Sequence, residues 1–302
     1  MTIRPLVIKI GGELLEEPAR LRTIVEAIAA ITVPSGHTPA VPVIIVHGGG
    51  REIDAALKAA GIEKRQVDGL RVTDAATLDV VVAVLAGAVN TRLVAALNTA
   101  GVAAVGLTGA DARCGLSRRA APHTSADGRT VDLGRVGVPI DQSDARLLNT
   151  LLAGGFIPVV ASIGIGEDGQ LYNVNADTLA GHLAARLGAR RLVIAGTTPG
   201  VRGDDGATVP LVELSDIERM VANGTATAGM IAKLRACEHA LARGVDDVVI
   251  VDGQDGAAIE AAAAGDLPGK STRLVGTALE SRSGAEATAA SGGGAPRESN
   301  KC

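Results

Sequence analysis

The sequence predicts an α/β protein: a mostly parallel sheet with helices on both faces. Two observations predict it. Short β-branched runs near 6–10, 43–46, 102–107, 157–162, 191–195 and 248–252 alternate with Ala- and Leu-rich helical patterns near 19–31, 51–60, 74–99, 143–154, 178–188, 215–223 and 229–243. Continuous apolar strands separated by helices are the pattern of a sheet buried on both sides. Secondly, 47% of the 302 residues are hydrophobic, yet there is one Phe (Phe156), one Tyr (Tyr172) and no Trp. Val, Ile, Leu and Ala must therefore build a large aliphatic core.

The same composition narrows the partners. So few aromatic rings disfavour modules that stack on bases, and a formal charge of −4 disfavours a binder of the nucleic-acid backbone. Cys114, Cys237 and Cys302 are odd in number and lack metal-ligand spacing, so neither a disulfide framework nor a zinc site is expected. Met1 to Pro5 run straight into the first strand without a signal-peptide pattern, and no apolar stretch has the length and purity of a membrane span. A cytoplasmic protein that binds no membrane is expected.

The first strand ends in Lys9-Ile10-Gly11-Gly12. Glycines at a strand end let backbone N–H groups approach an anion, and a lysine adds a mobile charge for phosphate oxygens. The second strand ends in His47-Gly48-Gly49-Gly50 and opens directly into a helical pattern. That places a row of N–H donors at the positive end of a helix dipole, a second anion cradle. Gly69-Leu70-Arg71-Val72-Thr73 precedes the long helix, which Thr73 or Asp74 would cap; Arg71 reads either as a bidentate carboxylate clamp or as a surface arginine. The stretch from Gly109 to Gly137 breaks the alternation and reads as a hairpin insertion around Asp127-Gly128.

Gly164-Ile165-Gly166-Glu167-Asp168-Gly169 has the spelling of a dinucleotide fingerprint, but a strand follows it where a helix is required, so it reads as a hairpin turn. Gly265 to Ser271 resembles a phosphate loop one residue short and on the wrong side of an Ala-rich helix. Asn173-Val174-Asn175-Ala176-Asp177 joins a strand to a helix. Asn175 or Asp177 would cap that helix, and three such groups in five residues exceed what one cap needs. Gly229-Met230-Ile231-Ala232-Lys233 opens another helix, with Thr225 and Thr227 upstream. A lysine so near a helix start is either solvated or answered by a bound anion. From Ser281 to Cys302 the chain is Ser, Gly, Ala and charge without apolar periodicity, and reads as a disordered tail.

Taken in order, these five motifs resemble the amino acid kinase family, and within it the members that act on N-acetyl-L-glutamate, over about residues 5–280. The resemblance implies a three-layer αβα sandwich around a mostly parallel open sheet. Residues 1–170 would form an N-terminal lobe for the acyl amino acid and for dimerisation, and residues 171–280 a C-terminal lobe for ATP. It implies transfer of the γ-phosphoryl group of ATP to the γ-carboxylate of N-acetyl-L-glutamate in arginine biosynthesis, by a homodimer paired through the helix around Leu78 to Leu97.

Carried over to this chain, Lys9 and Lys233 would neutralise the transferring and leaving groups and Asp177 would hold both lysines. Gly48, Gly49, Gly50, Arg71 and Asn173 would bind the substrate; Gly11, Gly12, Thr197, Gly200 and Lys233 would bind the nucleotide. Mg²⁺ would arrive on the nucleotide phosphates, with no metal ligands of the protein's own. Gly196-Thr197-Thr198-Pro199-Gly200 departs from the Ser/Thr-Asp pair common in the family at that place. The family's arginine-inhibited members carry an extra helix before the first strand, so arginine inhibition and a hexamer are not expected here. The alternatives are a kinase for an aminoadipate derivative, carrier-bound through a basic surface at Arg113, Arg118 and Arg119, and a non-catalytic sensor of nucleotide or amino acid.

Overall fold

The computed structural model describes residues 4–33, 41–125, 128–203, 205–222 and 228–276. The expected tail, Asp127, Thr225 and Thr227 lie outside these residues. The first half runs β1 (Leu6–Ile10), α1 (Pro18–Thr32), β2 (Val43–His47), α2 (Gly50–Ala59), β3 (Gln66–Val67), β4 (Leu70–Arg71), α3 (Ala75–Val82), a π-helical segment (Ala83–Val89), α4 (Asn90–Thr99) and β5 (Ala104–Thr108). Four short strands follow, β6 (Ser117–Arg119), β7 (His123–Thr124), β8 (Thr130–Val131) and β9 (Val136–Pro139). The rest is α5 (Arg146–Ala153), β10 (Ile157–Ala161), β11 (Ile163–Ile165), β12 (Leu171–Val174), α6 (Ala176–Arg186), β13 (Arg191–Gly196), β14 (Leu211–Glu213), α7 (Leu214–Ala222), α8 (Ala228–Ala242), β15 (Asp247–Asp252), α9 (Gly256–Ala264) and β16 (Thr272–Val275).

Eight strands form one sheet in the order β14-β16-β15-β13-β1-β2-β10-β5. From β15 to β5 all run parallel, while β16 is antiparallel to β15 and β14 follows β16. Alternation along β1 sends Leu6, Ile8 and Ile10 into one aliphatic layer with α1, α2, the long helix and α9. It sends Val7 into the other, with α5, α6, α7 and α8. Lys9 shares the Val7 face, which aims it at α6 and α8. A second sheet, β11-β12-β9-β6, begins where the chain leaves β10, with Ser162 between β10 and β11.

The expected hairpin insertion is present: β6 pairs antiparallel with β9, and β7 with β8. The false fingerprint is the turn between antiparallel β11 and β12, with Gly169 at φ +81°. Gly265, in the loop that resembles a phosphate site, is the left-handed C-cap of α9 at φ +118°.

Two expectations need correction. The helix Ala75–Thr99 has 25 residues and mean hydropathy 2.0, long and apolar enough to cross a membrane. Its face bearing Val81, Leu85, Val89, Leu93 and Leu97 packs into the aliphatic layer, so that face is apolar because it covers the core. For the same reason those leucines are not available as a dimer face; Ala83, Gly87 and Ala95 on the opposite side are exposed.

Candidate active site

The site forms where β1 and β2 end at the centre of the sheet, beside the place where the strand order reverses around β1. The two glycine turns meet there. A Cβ on Gly12 would lie 2.6 Å from Gly49 Cα and 2.7 Å from its nitrogen, so only a glycine lets the turns touch. Leu85 and Val89 press on Gly49 from the other side, 2.9 and 3.3 Å from where its Cβ would be. Helix α2 starts at Gly50 and leaves its first N–H groups without helical partners.

Lys9 crosses to α6, where its Nζ lies 2.9 Å from Asp177 Oδ1. The Lys233 ammonium on α8 reaches the same oxygen at 3.5 Å. All three side chains are almost buried, 10%, 10% and 13% exposed for Lys9, Asp177 and Lys233. Helices α6 and α8 come this close because Gly181, one turn after Asp177, lies against Ala236; a Cβ there would be 2.7 Å from the Ala236 carbonyl oxygen. Burial alone would raise the Asp177 carboxyl, but Lys9 and Lys233 hold it below the usual carboxylate range. Burial, and after it the Lys9 charge, push the Lys233 ammonium down. Among the described residues two cations share one carboxylate, which leaves one positive charge uncompensated in a buried place, and such a charge calls for an anion.

Asn175 takes the cap of α6, accepting from Thr178 N at 3.0 Å, which frees Asp177 for the lysines. Asp74 caps α3 in the same way. Next to the glycine turns lies a cavity of about 230 Å³ lined by Gly48 to Gly50, Arg71, Asn173 and Asn175, with Ile53, Leu85 and Val136 as apolar wall. The β3–β4 hairpin, closed by Asp68 and Gly69 at positive φ, carries Arg71 into it. Arg71 Nη2 donates to Gly50 O at 3.3 Å and to Asp54 Oδ1 at 2.5 Å, and Asp54 also takes Lys64 at 2.6 Å. Nη1 of the same guanidinium is buried with no partner. Asn173 donates to Thr73 Oγ1 at 3.1 Å.

Lys9, Gly12, Gly48, Gly49, Gly50, Arg71, Asn173, Asp177 and Lys233 thus gather at the ends of β1 and β2, where the two helical layers meet across the sheet edge. Gly11, two residues past Lys9, donates its N–H to the Ala195 carbonyl oxygen at 2.9 Å, which corrects its expected use as a donor to the nucleotide; the Glu13 carboxylate folds over it, 2.5 Å from where a Cβ would stand. Thr197 is exposed past the end of β13. Gly200 is buried against Thr272 and Thr208, whose atoms a Cβ would meet at 2.5 and 2.6 Å, so packing alone demands a glycine there. Sequence reasoning missed His47 as a buried group, Asn90, Asp54 and Gly181. Asn90 carried a signal, as the first amide in the apolar run from Val80. Cys237, one turn past Lys233, has its thiol pushed up to about 12 by burial, which removes it as a nucleophile. Among the described residues no group of three His, Cys, Asp or Glu side chains is placed to hold a metal.

The model of the amino acid kinase family matches residues 4–252. An acetylglutamate kinase from Novosphingobium aromaticivorans is 42% identical over 260 residues, which cover 83% of this chain and 84% of the relative. Among solved structures, smu.665 from Streptococcus mutans UA159 superposes with a TM-score of 0.69 at 27% identity, covering 82% of this chain and 94% of its own. The N-acetylglutamate synthase from Neisseria gonorrhoeae shares the fold, with a TM-score of 0.73 at 23% identity over 91% of this chain and 60% of its own. The chain belongs to the amino acid kinase family.

Proposed function

We propose that the protein transfers the γ-phosphoryl group of ATP to the γ-carboxylate of N-acetyl-L-glutamate, giving N-acetyl-L-glutamyl 5-phosphate, a step of arginine biosynthesis. The observation that carries this reading is the buried Lys9–Asp177–Lys233 cluster with its uncompensated positive charge, set beside a cavity whose arginine keeps one buried nitrogen unpartnered. A carboxylate is already a nucleophile at neutral pH, so the reaction needs position and charge and no general base. Arg71 and Asn173 would hold the substrate's α-carboxylate and leave its γ-carboxylate directed at the glycine turns. Gly12 and Gly48 to Gly50 would donate N–H groups to the transferring group, Lys9 would meet it from the sheet, and Lys233 would meet the leaving phosphate.

The closely touching glycine turns, which a Cβ would part, suit a phosphate chain laid across them. Mg²⁺ would come with the nucleotide and neutralise charge on its phosphates. Residues 1–170 would then serve the acyl amino acid and residues 171–280, with Thr197 at the end of β13, the nucleotide. A cytoplasmic homodimer, paired through the exposed small-residue face of the long helix, belongs to the same reading.

The test is ATP turnover with Mg²⁺ and hydroxylamine trapping of the acyl phosphate, comparing N-acetylglutamate, N-acetylaminoadipate and free glutamate. Turnover with N-acetylglutamate well above the others is the expected result. Preference for the aminoadipate compound would replace the substrate, and none with any free acid would turn the reading toward a carrier-bound substrate or a sensor.

A further inference from the structure

His47 is fully buried between the second strand and the glycine turn, so it touches no substrate, and phosphoryl transfer to a carboxylate leaves it without a proton to move. Its neighbours determine what it does instead. The Asn90 amide nitrogen lies 2.9 Å from the Val159 carbonyl oxygen, which only accepts, so that nitrogen is a donor. The same nitrogen lies 3.0 Å from His47 Nε2. Nε2 therefore accepts, and in a neutral ring the proton sits on Nδ1. Nδ1 lies 3.1 Å from the Gly48 carbonyl oxygen and donates to it.

In a trans peptide the C=O and the following N–H point in opposite directions. With the Gly48 carbonyl held by the buried ring, the N–H of Gly49 turns away from it, and Gly49 N is the atom that a Cβ on Gly12 would meet at 2.7 Å. The long helix is shaped to support this contact. Its π-helical segment ends at Val89, immediately before Asn90, and the same segment presses Leu85 and Val89 onto Gly49. Gly106 on β5 leaves room for the amide, since a Cβ there would collide with Asn90 Oδ1.

We infer that His47 and Asn90 are positioning residues for phosphoryl transfer. Asn90 selects the imidazole tautomer, the Nδ1–H of that tautomer fixes the Gly48–Gly49 peptide, and the peptide aims its N–H at the anion shared by the two glycine turns. This rests on the proposal that those turns cradle the transferring group.

The tautomer is read first, by long-range ¹H–¹⁵N correlation on the intact wild-type protein at pH 7, a measurement that needs no turnover. A neutral ring with its proton on Nδ1 is expected. A proton on Nε2, or a charged ring, overturns the inference whether or not the protein is a kinase. Kinetics then separate positioning from folding. His47→Asn keeps an amide donor near the place of Nδ1, whereas His47→Gln moves it toward the place of Nε2. We expect His47→Gln to lose about 10²-fold in kcat, the size of one misaimed transition-state donor, with little change in either KM. His47→Asn should recover about tenfold of that loss. Equal kcat in the two variants, or losses that follow the melting temperature alone, would mean that His47 is only a core residue.

Discussion

The two ends of the proposed site are built differently. The lysine end stands on central elements: Lys9 on an interior strand, Asp177 in the first turn of α6 and Lys233 on α8, with the helices locked through Gly181. The arginine end stands on a two-stranded hairpin that is held to α2 by Arg71–Asp54 and to the insertion by His123–Asp68 at 2.8 Å. Core elements hold a charge in one place because the packing around them permits no other arrangement. A hairpin can yield to a ligand. The lysine end is therefore where rate should be set, and the arginine end where affinity should be set.

The largest break in that comparison is Lys9→Ala. It removes a buried cation aimed at the phosphoryl group and should lower kcat by about 10³-fold while leaving KM for the acyl amino acid within a fewfold. Steady-state kinetics decide it, and a kcat near wild type would remove Lys9 from the chemistry. Arg71→Ala should do the reverse. Losing a charged hydrogen bond to the α-carboxylate, about 1.5–3 kcal/mol, should raise KM for the acyl amino acid roughly 10- to 100-fold and leave that for ATP unchanged. An equal rise in both constants would contradict the division between the two ends.

A smaller effect sharpens the point about packing. Gly181→Ala places a methyl against the Ala236 backbone, which cannot move without shifting α8 and with it Lys233. Overpacking costs about 1–3 kcal/mol and the better helix former returns about 1. The melting temperature should fall only slightly while kcat drops about tenfold; unchanged kcat would show that the lysine spacing tolerates movement.

The difference between the ends also decided what was legible in the sequence. Strands β1, β2, β10, β13 and β15 are apolar runs bounded by glycine or turn residues, and a pattern of that strength specifies both element and face. Lys9 then follows as the charged residue in such a run. Strands β3, β4, β14 and β16 are two to four residues long, too short for a periodicity to mark them, and β14 and β16 draw their hydrogen bonds from neighbours distant in sequence. Asp68-Gly69 is nevertheless a two-residue hairpin signal that sequence reasoning passed over. Asp54 and Gly181 could not be read at all. One is an ordinary acidic residue on an amphipathic helix until the hairpin brings Arg71 to it, and the other is a helix-weakening glycine until α8 arrives.

The least specific effect is on stability, and its sign follows from burial. His47 and His182 are both buried neutral. Burial pushes each ring down to about 4, with His182 held 2.9 Å from Ser143 Oγ and facing His239, Arg186, Arg243 and Asp141. In the unfolded chain each ring takes up a proton near pH 6.5, so the unfolded state binds more protons below that pH and stability is lost as pH falls from 6.5 toward 4. Each ring contributes a slope of about 1.4 kcal/mol per pH unit, so the two together should cost about 2–3 kcal/mol between pH 7 and pH 5.5. The Asp54 and Asp177 carboxyls, held below their usual range, lose their contribution only at lower pH and leave this window to the histidines. His239, also pushed down by burial, adds to the same loss; urea unfolding at the two pH values measures the difference, and His182→Gln should remove that ring's share, about 1 kcal/mol. His182 lies away from the glycine turns, at the contact of α6 with α8, so the same variant should keep the wild-type KM values. A stability that is flat from pH 7 to 5.5 would mean that these rings are reached by water and protonate as readily folded as unfolded.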